Sequence, residues 1–196
     1  SNKIIMKNIK LLFLAIVAIA SFSSCGDDDE FYNSKYISIP DLIKVEHQPA
    51  YAVGNVLWVN TNFSRFLAEP GQTTPLDIFK TTNGASFSFS YGLEKKNPDN
   101  TWTIIDLENK MIENQGNIFD GSYNTAECIF NSATETYQFR AGIPLEQTGS
   151  YRIFFGFTEA SHLELASNND SEKSTYLNIR TTVNNSTDGF YYFTVE

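Results

Sequence analysis

The chain has 196 residues, 41% of them hydrophobic and 14% aromatic, with a formal net charge of -9. That apolar content builds a core and excludes intrinsic disorder, and the length suits one domain or at most two. Three of the 14 basic residues (Lys3, Lys7, Lys10) precede Cys25 and no acid does, which leaves 11 bases against 23 acids from there on, a net of -12. Such a field repels phosphate backbones and excludes nucleic acid as a partner.

Met6-Lys7-Asn8-Ile9-Lys10 is a short basic segment, and Leu11 to Ala20 are ten apolar residues. This pairing predicts a signal peptide, because ten residues are too few to span a bilayer as a helix. Phe22-Ser23-Ser24-Cys25 resembles the bacterial lipobox, with Phe22 where an aliphatic residue is usual. The resemblance implies cleavage before Cys25 and lipid on its thiol. It divides the chain into a signal peptide (1–24), a lipidated tether (25–35) and one domain (36–196). The run Asp27, Asp28, Asp29, Glu30 resembles the surface-export signal of Bacteroidetes lipoproteins. That resemblance implies display on the outer face of the outer membrane; a plain solvated spacer is the alternative. The acidic domain has no affinity of its own for an anionic bilayer, so lipid is the expected membrane contact.

Beyond the tether the pattern has period two, the repeat of strands with one buried face. The first candidates are Tyr36–Ile39, Leu42–Glu46 and Val53–Phe63. Thr74-Pro75-Leu76-Asp77 suits the cap of a single helical turn, with Pro75 in the first helical position. In Ala85–Tyr91 (ASFSFSY) the aromatics point one way and the serines the other. Asn97-Pro98-Asp99-Asn100 is a turn, and Thr101–Ile105 resumes the alternation, so 85–107 is a predicted hairpin. Residues 108–125 read as a long loop. Cys128 alternates with Glu127; with Cys25 lipidated it has no disulfide partner and reads as a small buried hydrophobe. Tyr137, Phe139, Ala141 and Ile143 form a one-sided set ended by Pro144. Tyr151, Ile153, Phe155 and Phe157 form the next. Residues 166–175 read as a second loop, Leu177, Ile179 and Val183 as a further strand, and Phe190–Val195 as the last.

Leu145-Glu146-Gln147-Thr148-Gly149-Ser150-Tyr151-Arg152-Ile153 resembles the tyrosine corner of immunoglobulin-like sandwiches. There Gly149 opens a strand, and the Tyr151 hydroxyl is expected to bond backbone a few residues upstream. Val53–Trp58 resembles the glycine-led strand B of the same class, with Trp58 and Ile153 where antibody domains carry their disulfide. The resemblance implies an all-β, immunoglobulin-like antiparallel β-sandwich with insertions. A closed β-barrel is the alternative.

Chemistry is sparsely written. His47 and His162 are the only histidines. There is no nucleophile elbow, phosphate loop, His-Glu-x-x-His or zinc-spaced cysteine pair. His162, Glu164 and Glu159 make at most a fragment of a metal site, since a metal needs three or four converging ligands, and read as a solvated loop. Asn168, Asn169, Asp170 and Glu172 lack the spacing of a calcium loop and read as a polar turn. No catalytic residue, metal or cofactor is therefore expected. Trp58, Trp102, Tyr191 and Tyr192 are the ligand-binding candidates, since a flat ring meets the C–H face of a sugar; core packing competes for each. Alternation sends two of the four aromatics in Phe190–Phe193 out of the core, where a binding surface is expected first. The expected function is a non-catalytic surface lipoprotein that binds a glycan, a protein or an outer-membrane complex, a role common among Bacteroidetes lipoproteins with such domains. A carboxylate-dependent glycan hydrolase and a strand-added subunit of a surface appendage are the alternatives.

Overall fold

Along Phe87–Leu93 every second side chain is apolar, and Phe87, Phe89, Tyr91 and Leu93 are all buried while Ser88, Ser90 and, just beyond, Glu94 face outward. The same rule writes most of the fold. The computed structural model describes residues 33–156, 163–170 and 172–196. Cys25, the Asp27–Glu30 run, Phe157, Glu159 and His162 lie outside the described residues. Residues Tyr32–Glu196 form one compact unit.

In chain order the strands are β1 (Ser34–Ser38), β2 (Ile43–Val45), β3 (Val56–Ser64), and a small hairpin of β4 (Phe66–Leu67) and β5 (Leu76–Asp77). One helical turn, α1 (Ile78–Thr81), follows. Then come β6 (Phe87–Lys96), β7 (Trp102–Ile105), β8 (Ile112–Gln115), β9 (Asn117–Phe119), β10 (Asn124–Asn131) and β11 (Thr136–Pro144). The last five are β12 (Gly149–Phe155), β13 (Leu163–Ser167), β14 (Tyr176–Thr181), β15 (Val183–Asn184) and β16 (Phe190–Val195).

One long curled sheet runs β1-β14-β13-β6-β10-β11-β3-β2-β15. It folds into two layers at β10, whose first half pairs with β6 and whose last three residues pair with β11. The far edge is stitched as well: the chain passes from β1 into β2 beside the passage from β14 into β15. There Thr181 and Thr182 hydroxyls accept from the Leu42 and Asp41 amides at 3.0 and 2.9 Å. An all-β sandwich forms, with layers joined at both edges; the expectation of an antiparallel sandwich needs correction, because β1 pairs with β14 and β2 with β15 in parallel.

The core between the layers is aromatic. Phe87, Tyr91, Tyr137 and Phe139 are fully buried. Tyr137 stacks on Phe63 at 5.3 Å and meets Phe87 edge-on at 4.9 Å, the offset and T-shaped geometries that ring quadrupoles favour. Cys128 is fully buried among them, and burial drives its thiol well above the ordinary range, so it is unreactive.

Three local expectations need correction. Residues 108–125 are not a bare loop: Ile112–Gln115 pairs with β11 and Asn117–Phe119 pairs with β10. Polar exposed strands lack the alternation that reveals buried ones. The helical turn does form, but Asp77 is its cap, accepting from the Lys80 amide at 3.2 Å, and Pro75 precedes it. Asp77 also accepts from Arg65 through both oxygens (3.1 and 2.6 Å), and that hydrogen bonding holds its carboxyl below the usual range. An aspartate serves two elements there, which outweighs the local preference for Pro75 at a helix start. The second predicted loop is shorter than read, because β13 continues to Ser167.

Candidate functional site

β6 changes neighbours halfway. Its first residues lie between β10 and β13, and its last between β12 and β7. The strands β7, β6, β12 and β16 thus form a patch whose outer face opposes the core. Register places Ile104, Glu94, Arg152 and Tyr192 in one row across it, and Trp102, Lys96 and Thr194 near the next.

Arg152 is the organiser of this face. Its Nε donates to Glu94 Oε2 at 2.5 Å, and both side chains are largely buried. Its guanidinium lies 4.4 Å from the Trp102 ring centroid and 4.0 Å from that of Phe190. A cation held between two rings and a carboxylate is fixed in place, and it fixes the rings in turn. Tyr192 meets Trp102 at 6.0 Å and 61°, and Phe190 lies 5.8 Å from Tyr192. The Phe154 ring packs against Gly92, where a Cβ would collide with it. A glycine in the middle of β6 is thereby covered, and the aromatic face continues along β12.

Beside Tyr192 the face dips into a shallow groove of about 360 Å³, lined by Lys96, Trp102, Ser150, Tyr151, Tyr192, Phe193 and Thr194. Tyr192 is 51% exposed. Lys96 is exposed and makes no ion pair among the described residues; its Nζ lies 6.0 Å from the Trp102 ring. On its outward side the groove offers the Trp102 and Tyr192 rings, the Ser150 and Thr194 hydroxyls and the Lys96 cation, and no Leu, Ile, Val or Met; Tyr151 and Phe193 are buried on the inward phase of their strands.

The structure thus brings together two of the four aromatic candidates, Trp102 and Tyr192, although 90 residues separate them in sequence. The other two need correction. Tyr191 is 3% exposed and points inward. Its hydroxyl lies 2.8 Å from His47 Nδ1 and 3.2 Å from the Tyr51 hydroxyl, which donates to the Glu46 carbonyl. Burial raises its pKa well above that of free tyrosine. It ties the 46–51 segment to β16, and Phe190 and Tyr192 are the outward pair. Trp58 does face outward, on β3 of the second layer, but it is partly buried and already engaged: the Arg140 guanidinium sits 3.7 Å from the ring centroid, and the edge of the ring packs close to Gly142. Arg140 is itself held by Glu46 through two hydrogen bonds (2.7 and 2.9 Å), which lower the Glu46 pKa. The outward placement of Trp58 also sets it apart from the inward disulfide position of strand B, which Leu57 and Val59 occupy here.

The tyrosine corner is present in its bonding. Tyr151 is 6% exposed, and its hydroxyl donates to the Gln147 carbonyl at 2.9 Å. Gly149 opens β12 at φ +139, a value side chains rarely adopt. The oxygen-rich 168–172 segment spends its groups internally: Asn168 donates to Ser86 and Ser88, Asn169 to Ser174 and the Thr175 carbonyl, and Asp170 accepts from the Glu172 amide. Among the described residues no three His, Cys, Asp or Glu side chains are grouped to hold a metal. Glu164 bonds Asn178 at 2.8 Å.

Sequence reading missed Arg152, Glu94 and Lys96. Arg152 carries a local signal, since it occupies an outward position between inward Tyr151 and Ile153. Its pairing with Glu94 depends on the register of strands 58 residues apart, which no local pattern reveals.

No protein-family model and no curated protein matches the chain. Among solved structures, the seventh ScaB type I cohesin from Pseudobacteroides cellulosolvens is similar at 12% identity, with a TM-score of 0.26, over 78% of this chain and 96% of that one. At that score the likeness adds nothing to the fold read from the strands themselves.

Proposed function

We propose that this chain is a non-catalytic binding module, anchored in an outer membrane by lipid on Cys25 and displayed at the cell surface. The single observation that carries the binding reading is the outward face of β7-β6-β12-β16. A large ring, Tyr192, is left 51% exposed on a patch whose neighbours are rigidly held by Arg152 and Glu94. Rigid, half-exposed aromatics beside hydroxyls are the common equipment of recognition surfaces. The anchor reading rests on the basic-apolar leader and the Phe22–Cys25 lipobox; the Asp27–Glu30 run supports display.

The binding test immobilises the full chain in detergent and challenges it with a glycan array and with solubilised outer-membrane proteins. Binding is expected in one of these, and Tyr192→Ala is expected to weaken it about tenfold. Tyr36→Ala on β1, removing a ring 70% exposed and distant along the sheet, serves as the comparison. If the two substitutions have the same effect, or the wild type binds neither, the patch is not the binding face. The anchor is tested by growth with a clickable fatty acid. Cys25→Ser is expected to lose the label entirely, because only that thiol accepts diacylglycerol; equal labelling overturns the lipoprotein reading.

A further inference from the structure

We infer that the groove beside Tyr192 takes a carboxylated sugar unit, such as a uronic acid, within a glycan. The inference rests on the binding reading above and names its ligand class. Three features of the lining select it. Tyr192 offers a flat apolar ring with half its surface in solvent, which suits the C–H face of a pyranose. Ser150 and Thr194, both exposed, offer hydroxyls that donate and accept, as sugar hydroxyls require. Lys96 supplies the only charge in the lining.

That charge is unusual in its setting. Residues from 25 onward carry a net of -12, and the neighbouring Glu94 is already neutralised by Arg152. Lys96 is free to meet an anion, and a carboxylate within the groove gains a charge-assisted hydrogen bond from it. A protein side chain is the less suitable guest. The lining has no Leu, Ile, Val or Met to receive an apolar anchor.

The experiment titrates the full chain with three probes at low salt: a glucuronate-containing tetrasaccharide, the same tetrasaccharide with each carboxyl reduced to the alcohol, and an oligoglutamate peptide. The carboxylated sugar is expected to bind about fivefold more tightly than its reduced form, the scale of one exposed ion pair. That preference is expected to shrink as salt rises past the screening length. Lys96→Met is expected to erase the difference between the two sugars, and a thermal melt of the variant reports its folding. Equal affinity for both sugars, or a preference that survives Lys96→Met, overturns the acidic-sugar inference while the binding reading stands. Oligoglutamate binding with no sugar binding overturns it in favour of a protein partner. Failure of every probe, together with failure in the array test, overturns both.

Discussion

Gly116→Ala is expected to cost about 2–5 kcal/mol. Two penalties combine. Gly116 sits at φ +71, where a side chain costs about 1–2 kcal/mol. Its added Cβ would also meet the Glu127 carbonyl oxygen directly and lie 2.9 Å from the Gln138 carbonyl oxygen. Both are backbone atoms of ordered strands, so neither yields cheaply, and overpacking of this kind adds about 1–3 kcal/mol. The location explains the crowding. β10 and β11 are paired only from Ile129 to Asn131; upstream they diverge into separate layers. β8 and β9 fill the widening gap, one pairing with each, and Gly116 is the pivot between them. Gly71 is the control: it has φ +81 and nothing within 4 Å of its added Cβ. Gly71→Ala is expected to cost only the conformational penalty. Urea melts of both variants decide the point. If their midpoints fall together, Gly116 is merely a turn residue and the wedge has no structural weight.

Tyr151→Ala is expected to cost about 3–5 kcal/mol by removing a buried ring, and Tyr151→Phe about 1–3 kcal/mol by removing one hydrogen bond. The ring stacks on Phe193 at 5.5 Å and 17°, and Lys95 Nζ lies 5.4 Å from its centroid. The hydroxyl donates to Gln147, so its loss strands a carbonyl in the turn that leads into β12. The Tyr151 ring faces the core and not the outer face, so in Tyr151→Phe ligand affinity is expected to hold while the denaturation midpoint falls. A Tyr151→Phe midpoint equal to wild type, with affinity lost, would instead make this hydroxyl a ligand contact.

Strands with one buried face were legible because each carries its own record of inside and outside. Phe87, Phe89 and Tyr91, or Tyr137, Phe139 and Ala141, announce a strand from within a few residues. The Tyr151 bond was legible because its partner lies four residues upstream. What the residues did not disclose are features that depend on who sits beside whom. Ile112–Gln115 is exposed throughout and shows no alternation, so only its pairing with β11 makes it a strand. Trp58 and Trp102 are equivalent as letters; a glycine and an arginine from a distant strand engage one, and a groove adjoins the other. In Phe190–Phe193 the alternation was readable, but its phase was not. That phase is set by Val195 and Phe193 entering the core, and it sends Tyr192 outward and Tyr191 in.

The parallel pairing of β1 with β14 bears on how the molecule would carry tension. The chain enters β1 at Ser34, and β1, β14 and β6 all run in the same direction, with Tyr36, Asn178, Ala166 and Ser88 aligned across the layer. The groove lies at the far end of β6, near Lys96. A pull on the chain before Ser34, opposed by a ligand held at Lys96, therefore acts along the strands in opposite directions. The five residue pairs from Ser34–Tyr176 to Ser38–Arg180 would be sheared together instead of peeled one at a time. Shearing loads every cross-strand bond at once, so under the proposed anchoring and ligand the release of β1 would be governed by a rate and not by an equilibrium.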